Sequence, residues 1–365
     1  MSFLYSANAH GLQILITTPP FEKPGGVAMF YRTLSKYLGQ NVTYFQVGSP
    51  LGHEGRIRSI GRLAADTAQF GITLIRTRPD VVHLNPSLLI KALIRDGILL
   101  VLAKSLRCKV LVFMHGWEPA CELTVFGPLR FLFRAVYFRA DAYIVLAEEM
   151  RQQLLRLGYY KQITVGTTAV PDDIFLRPHE TRRIHAGPVR VLILTRIEPG
   201  KGVMEAVEAY RIVRETRSDV VLTIAGSGSE LPTIREYVAS RKIPGVEFLG
   251  YVDGLEKDLA FDAADIFLFP TTLSEGMPIN VLEAMAYGLP VITRPVGGMA
   301  DFFEDGRMGF TTISIDPRVF AGMLKHLVTD QDLRLAMGCY NRDYARRRFA
   351  ASNVAAFLKQ IYATL

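Results

Sequence analysis

The chain is poor in cysteine. Cys108, Cys121 and Cys339 are its only three, and none stands close enough to another for a zinc-binding pair or a disulfide framework. A reducing compartment, the cytoplasm, is the expectation that follows. No apolar run approaches the ~18 to 20 residues of a membrane-spanning helix. The longest, at residues 97–103 and 130–140, are short and interrupted by Lys or Arg. The first residues show no basic segment followed by an apolar run and a small-residue cleavage site, so no signal peptide is expected. Gly-x-Ser-x-Gly, His-Glu-x-x-His and a complete Walker lysine loop are all absent, which leaves serine hydrolases, zincins and P-loop enzymes without support. There is also no low-complexity segment and no short-period repeat.

What is present is the make-up of an ordinary globular protein, 49% hydrophobic and 21% charged. A length of 365 residues favours two domains over one core. The net charge of +7 is lopsided: residues 1–180 hold 20 Lys/Arg against 13 Asp/Glu, and residues 181–365 hold 22 against 22. Arginines cluster at 56, 58 and 62, at 76 and 78, and at 130, 134 and 139, interleaved with Leu, Phe and Tyr. A solvated face accounts for such clusters. The sharper reading is attraction to an anionic membrane surface through a basic amphipathic helix such as GPLRFLFRAVYFR. No nucleic-acid motif accompanies the charge, so no nucleic-acid partner is expected.

Short apolar runs at 12–17, 42–47, 81–84, 109–114 and 142–146 alternate with helical patterns. The rhythm restarts at 189–195, 220–225, 246–249, 266–269 and 291–293, with helices expected at 204–215 and 231–240. Alternation of this kind predicts two doubly wound parallel sheets of the Rossmann type. The expected division is a first domain over 1–170, a linker over 171–188 and a second domain over 189–350. Residues 325–365 read as helices parted near 350–353.

The densest motif is FPTTLSEGMPINVLEAMAYGLPVITRP, residues 269–295. A strand ends, a polar loop follows, and a helix runs from Pro278 to a stop at Gly288. Glu275 in the loop and Glu283 in the helix lie at the carboxyl end of a strand, where open α/β sheets bind ligands. At 1.5 Å per helical residue they sit about 7 to 9 Å apart, a span suited to two hydroxyl-bearing parts of one extended ligand rather than to a shared metal. LTRIEPGKG, residues 194–202, sets Arg196 and Lys201 beside a glycine-rich turn, where a fork and a point charge can neutralise a diphosphate. Gly25-Gly26 opens the first helix, and an unobstructed helix start suits a phosphate. AGSG, with Gly226, is a tight strand-to-helix turn that lacks the third glycine of a dinucleotide fingerprint. His115, in FMHGW, follows a first-domain strand.

In this order and spacing the chain resembles glycosyltransferase family 4, retaining enzymes of GT-B architecture whose domains face one another across a cleft. The match rests on Gly25-Gly26, His115, TRIEPGKG, AGSG and SEGMPINVLEAMAYGLPVI, the last being the family's Glu-x7-Glu element. The resemblance implies a nucleotide-diphosphate sugar as donor and a glycan or lipid-linked acceptor, with no cofactor and no metal. Arg196 and Lys201 would hold the diphosphate, Glu275 the donor sugar and Glu283 the ribose. The backbone at Gly276, Met277 and Pro278, with Ile279 at the helix start, would lie along sugar and phosphates. Gly25, Gly26 and Gly226 would line the donor, and His115 would stand beside the transferred sugar. A last helix, 353–365, would return to the first domain. Two positions depart from the family pattern: Gly116 follows the histidine where many members have Asp, and 167–175 reads TTAVPDDIF in place of an Asn-Gly-Val-Asp-like turn. A same-fold nucleotide-sugar epimerase or hydrolase, or a non-catalytic glycan- or membrane-binding protein, are the alternatives. The expected place of action is the cytoplasm, peripheral on the membrane's inner face.

Overall fold

The computed structural model describes residues 11–22, 25–48, 55–117, 125–176, 187–273 and 276–365. The chain divides into two compact units, Met1–Thr168 together with Ala351–Leu365, and Ala169–Ala350.

In the first unit, strands β1 (Ile14–Thr18), β2 (Val42–Gln46), β3 (Val81–Leu84), β4 (Lys109–Met114), β5 (Ala142–Val145) and β6 (Gln162–Val165) form a parallel sheet ordered β2-β1-β3-β4-β5-β6. Helices α1 (Gly26–Leu38), α2 (Arg56–Thr77), α3 (Ile90–Ser105), α4 (Arg130–Tyr137) and α5 (Glu148–Leu157) connect them. Strands β1, β3 and β5 are buried along their whole length. Continuous apolar strands arise because parallel sheets are covered on both faces. The segment expected as a long basic helix forms only the eight residues of α4, with Phe133 and Tyr137 turned inward.

The second unit has β7 (Val189–Leu194), β8 (Val220–Ala225), β9 (Val246–Gly250), β10 (Ile266–Phe269), β11 (Val291–Thr293) and β12 (Gly309–Thr311), again all parallel, ordered β12-β11-β10-β7-β8-β9. Its helices are α6 (Val203–Arg214), α7 (Leu231–Ser240), α8 (Gly254–Ala263), α9 (Ile279–Ala286), α10 (Pro317–Thr329) and α11 (Gln331–Phe349). Period-two alternation sorts the strands between two cores. Val191, Ile193, Ile266 and Leu268 pack on α6 and α10. Leu192, Phe267 and Phe269 pack beneath α8, α9 and α11. Helix α11 comes so close to the end of α9 that a Cβ at Gly338 would stand 2.2 Å from the Gly288 carbonyl.

The turn Asp172–Leu176, inside the expected linker, packs into the second unit, where Arg342 and Arg346 donate to the Phe175 carbonyl. Residues 177–186 of that linker lie outside the described residues. Helix α12 (Ala351–Thr364) leaves the second unit after Phe349 and lies on α1, with Lys359 Nζ donating to the Tyr37 carbonyl at 2.8 Å. Strands β6 and β12 have no counterpart in the expected pattern. Both are short edge strands, and half-exposed edges carry too little apolar sequence to stand out.

Candidate functional site

Each sheet reverses its strand order at one place, and ligands of open α/β sheets bind outside the carboxyl ends of the strands there. In the second unit the reversal falls between β7 and β10. The loops leaving those two strands are the two that carry TRIEPGKG and TTLSEGMP. They are stitched together by backbone. The Gly200 carbonyl accepts from Thr272 N at 2.8 Å and from the hydroxyls of Thr272 and Thr271 at 3.1 and 3.3 Å. Gly202 has a φ of 75°, and a Cβ there would lie 2.1 Å from the Pro270 carbonyl oxygen. Only glycine permits that approach. The stitching fixes Lys201 as a buried side chain whose Nζ lies 6.0 Å from the centre of the Phe269 ring. Arg196 stands exposed on the same loop.

The AGSG turn braces this loop from the other side. Ile197 N donates to the Ser227 carbonyl at 2.8 Å, and a Cβ at Gly226 would stand 1.8 Å from the Thr195 carbonyl oxygen. Ser229 donates through both N and Oγ to Glu198, which holds that carboxyl below the usual carboxylate range. Gly226 therefore has a steric duty to the Arg196–Lys201 loop, whatever it contributes to a ligand.

Helix α9 starts just past the switch point. Gly276 is buried, with its carbonyl accepting from Gly298 N at 2.9 Å, and Met277 and Pro278 lead into Ile279 at the first turn. Asn280 donates to the Leu194 carbonyl at the end of β7 at 2.7 Å, tying helix start to strand end. Glu275 lies outside the described residues. Glu283, one turn further along α9, is buried and paired with Lys257 of α8, with Nζ–Oε1 at 2.7 Å. Burial raises its pKa above the ordinary carboxylate value, and Lys257 works against that rise. A carboxylate kept ionised in a dry site by one cation is a strong acceptor for hydroxyls. Removing that cation should be costly. Lys257→Met is expected to destabilise by about 3 kcal/mol at pH 8. The loss should shrink at pH 5, where Glu283 can take up a proton, and equal losses at both pH values in urea unfolding would dismiss the pairing.

In the first unit the strand order reverses between β1 and β3. A pocket of about 420 Å³ opens at these strand ends, lined by Thr17, Thr18, Asn85, Arg95, His115 and Gly116 among others. Among the described residues the buried Thr18 hydroxyl on its wall finds no hydrogen-bond partner. Gly25 caps α1 and Gly26 begins it, both exposed, and among the described residues nothing lies within 4 Å of a Cβ placed at Gly25.

His115 stacks on Phe113 with ring centres 3.9 Å apart and joins a chain of polar groups running into the core. The direction of each bond in that chain can be worked out. Asn85 Nδ2 reaches the Thr17 carbonyl at 2.7 Å, which can only accept, so Asn85 Oδ1 faces the other way. Oδ1 accepts from Tyr31 at 2.8 Å and from His115 Nε2, also at 2.8 Å. The His115 proton is therefore on Nε2, and Nδ1 carries a lone pair. The Tyr31 oxygen in turn accepts from His83 Nε2 at 3.1 Å, and His83 Nδ1 accepts from Tyr362 of α12 at 2.7 Å. Burial lowers the pKa of both histidines to about 3, so both rings are neutral at pH 7.

Among the described residues no group of three or more His, Cys, Asp or Glu is placed to hold a metal ion. Sequence spacing brought Arg196, Lys201 and Glu283 to notice, and all three lie around one switch point. Lys257, Asn85, Tyr31 and His83 went unnoticed. Lys257 reads as a routine cation on an amphipathic helix, 26 residues upstream of its partner. His83 and Asn85 share β3 and its end, and Tyr31 reaches both from α1, more than fifty residues earlier in the chain.

Comparison with known proteins places both halves. Residues 7–165 match the family model "Glycosyl transferase 4-like domain", and residues 179–344 match "Glycosyl transferases group 1". A glycogen synthase of Mycobacterium tuberculosis is 28% identical over 187 residues, 50% of this chain and 44% of that one. A phosphatidyl-myo-inositol mannosyltransferase of Mycobacterium leprae is 32% identical over 176 residues, 48% of this chain and 46% of that one. The matched stretches thus span a little under half the length of these relatives. Among solved structures, Anabaena Alr3699/HepE in complex with UDP and glucose aligns with a TM-score of 0.71 and 18% identity, covering 97% of this chain and 100% of that one.

Proposed function

The chain belongs to glycosyltransferase family 4, with the GT-B fold, and on that premise we propose that it is a retaining hexosyltransferase. It moves a sugar from a nucleoside-diphosphate sugar to a glycan or lipid-linked acceptor in the making of a polysaccharide or glycolipid. The observation that carries this reading is the stitched pair of loops at the β7/β10 switch point, which holds Lys201 buried over Phe269 at the end of β10.

In this reading Lys201 and Arg196 take the diphosphate, with the backbone of Gly276, Met277, Pro278 and Ile279 along phosphates and sugar. Glu283, kept ionised by Lys257, accepts from the ribose hydroxyls, and Glu275 reads the donor sugar. The bond between the anomeric carbon and the diphosphate oxygen breaks, and the acceptor oxygen bonds to the same face of that carbon. The departing oxygen takes the acceptor proton. Charge builds up on the leaving diphosphate, so fixed cations lower the barrier, and the paired acid and base of a glycosidase are not required. His115 presents its Nδ1 lone pair to a hydroxyl. UDP and glucose in the HepE structure support a donor of this class, and the named lipid in the mannosyltransferase relative supports a lipid-linked acceptor. The protein acts at the cytoplasmic face of a membrane, to which its basic first half is drawn.

A screen of nucleoside diphosphates and their sugars by thermal unfolding tests the donor. One of them should stabilise the protein by about 2.7 kcal/mol at ~100 times its Kd. Proton NMR of the products then tests the reaction. Transfer that needs an acceptor and keeps the anomeric configuration is the expected outcome. Release or epimerisation of donor without acceptor would replace it with hydrolase or epimerase chemistry.

A further inference from the structure

The stretches at 97–103 and 130–140 meet in the first unit. Helix α3 buries Leu99, Leu100 and Ala103 against the sheet, as a core-facing helix should. Its opposite side carries Ile90, Ile94, Ile98 and Val101, spaced as one stripe and all exposed. Helix α4 lies alongside and adds exposed Phe131 and Leu132. Between α2, α3 and α4 runs a groove of about 470 Å³ with almost wholly apolar walls. Its floor is narrow, since a Cβ at Gly97 would meet Val136 at 3.2 Å. Ile94 is 51% exposed, Leu132 58% and Phe131 79%, values that leave large apolar side chains in water on one continuous face. Such faces mark interaction surfaces.

The charge carried by the same helices says what covers it. Helix α2 has four arginines against Asp66, α3 three cations against Asp96, and α4 two arginines against no carboxylate. Asp96 is buried and bonded to Arg95 at 2.8 Å. By sequence these helices carry nine cations against two anions, but Lys104 is paired with Asp141 at 2.8 Å and Arg62 is engaged elsewhere, so the cations that matter are those standing exposed beside the groove. Exposed cations directly follow groove residues, Lys91 after Ile90 and Arg134 after Phe133. A second copy of this face would oppose cation to cation.

We propose that the α2–α3–α4 face of the first unit docks on an anionic phospholipid bilayer, with the apolar stripe in the interfacial hydrocarbon and the cations on lipid phosphates. The stripe from Ile90 to Val101 is about 16 Å long at 1.5 Å per residue. That length suits a helix lying in the interface, as amphipathic helices do. The first turns of α3 join this face to the strand-end pocket, because Leu89, Ala92 and Arg95 line the pocket while Ile90, Leu93 and Ile94 line the groove. A membrane-embedded acceptor would thus present its head group beside His115. This last link rests on the glycosyltransferase reading, but the docking surface does not.

The test is co-sedimentation of the 365-residue chain with phosphatidylcholine vesicles, with and without phosphatidylglycerol, at low and high salt. Binding should need the anionic lipid and weaken as salt screens it. Ile94→Asp and Leu132→Asp should each reduce binding at least about tenfold, since a charge is costly in hydrocarbon. Lys91→Glu with Arg134→Glu should reduce it about as much through lost attraction alone. Both kinds of variant are at exposed positions, so unfolding curves and the donor-induced thermal shift should match the parent. Failure of the glycosyltransferase reading would instead remove the donor shift from every protein, parent included. Vesicle binding that all variants retain would overturn the docking surface, as would absence of binding by the parent. So would sedimentation equilibrium showing a dimer that Ile94→Asp dissociates.

Discussion

Replacing Lys201 by alanine is expected to lower turnover by about 10²- to 10³-fold, the usual effect of deleting one preorganised charge aimed at a transition state. The expectation rests on how the lysine is held. Its backbone sits between Gly200, whose carbonyl takes hydrogen bonds from Thr271 and Thr272, and Gly202, pressed on Pro270. The side chain is buried, so its ammonium has little freedom and little water. A cation fixed in this way loses nothing in reorganisation when charge develops on a leaving diphosphate. The deficit should therefore appear chiefly in kcat, with a smaller change in KM for the donor. Lys201→Arg should restore little, because a planar fork does not take the place of a compact ammonium in a buried site. A rise in KM with kcat intact would show that Lys201 serves ground-state binding only, and would remove it from the chemical step.

Acid is expected to weaken the first unit through His83. The ring is fully buried, touched by Tyr31, Tyr362 and Phe113, and burial holds its pKa at about 3. In the unfolded chain a histidine titrates at about 6.5. The unfolded state therefore binds the extra proton between those values. The stabilisation is fully present above pH 6.5 and is lost as pH falls towards 3, at about 1.4 kcal/mol per pH unit for one histidine. Over the whole window that amounts to roughly 5 kcal/mol. His115 shifts in the same direction, but part of it reaches solvent, and its share should be smaller. Urea midpoints at pH 7, 6 and 5 would show the slope, and His83→Gln should flatten it by one proton's worth. Equal slopes for parent and variant would mean that His83 does not take up the proton.

Much of the architecture could be read from the sequence, for a definite reason. Parallel strands such as β3 and β10 are covered on both faces, so they appear as unbroken apolar runs. The β7 and β10 loops could be read too, because a switch-point loop leaves a strand, turns at glycine and enters a helix within a few residues. What could not be read is pairing across sequence. Nothing in GLEKDLAFDA sets Lys257 apart from other surface cations until α8 is laid against α9. Asn85 follows an unremarkable strand, and its role depends on Thr17 and His115 being its neighbours on either side. The helix expected over GPLRFLFRAVYFR illustrates the converse, since its periodicity indicated a longer amphipathic helix than the eight residues of α4.

The bond between Tyr362 and His83 also bears on the order in which the protein is made. The first unit is not contiguous: its last helix, α12, is encoded after the whole of the second unit. During synthesis the chain emerges from its N-terminus, and domains fold as units when their residues become available. The second unit has all its strands and helices before α12 leaves the ribosome. The first unit then waits with His83 lacking its tyrosine and α1 lacking its covering helix. The half of the protein that is translated first is thus the half that is finished last. The polar chain reaching His115 closes only when α12 arrives.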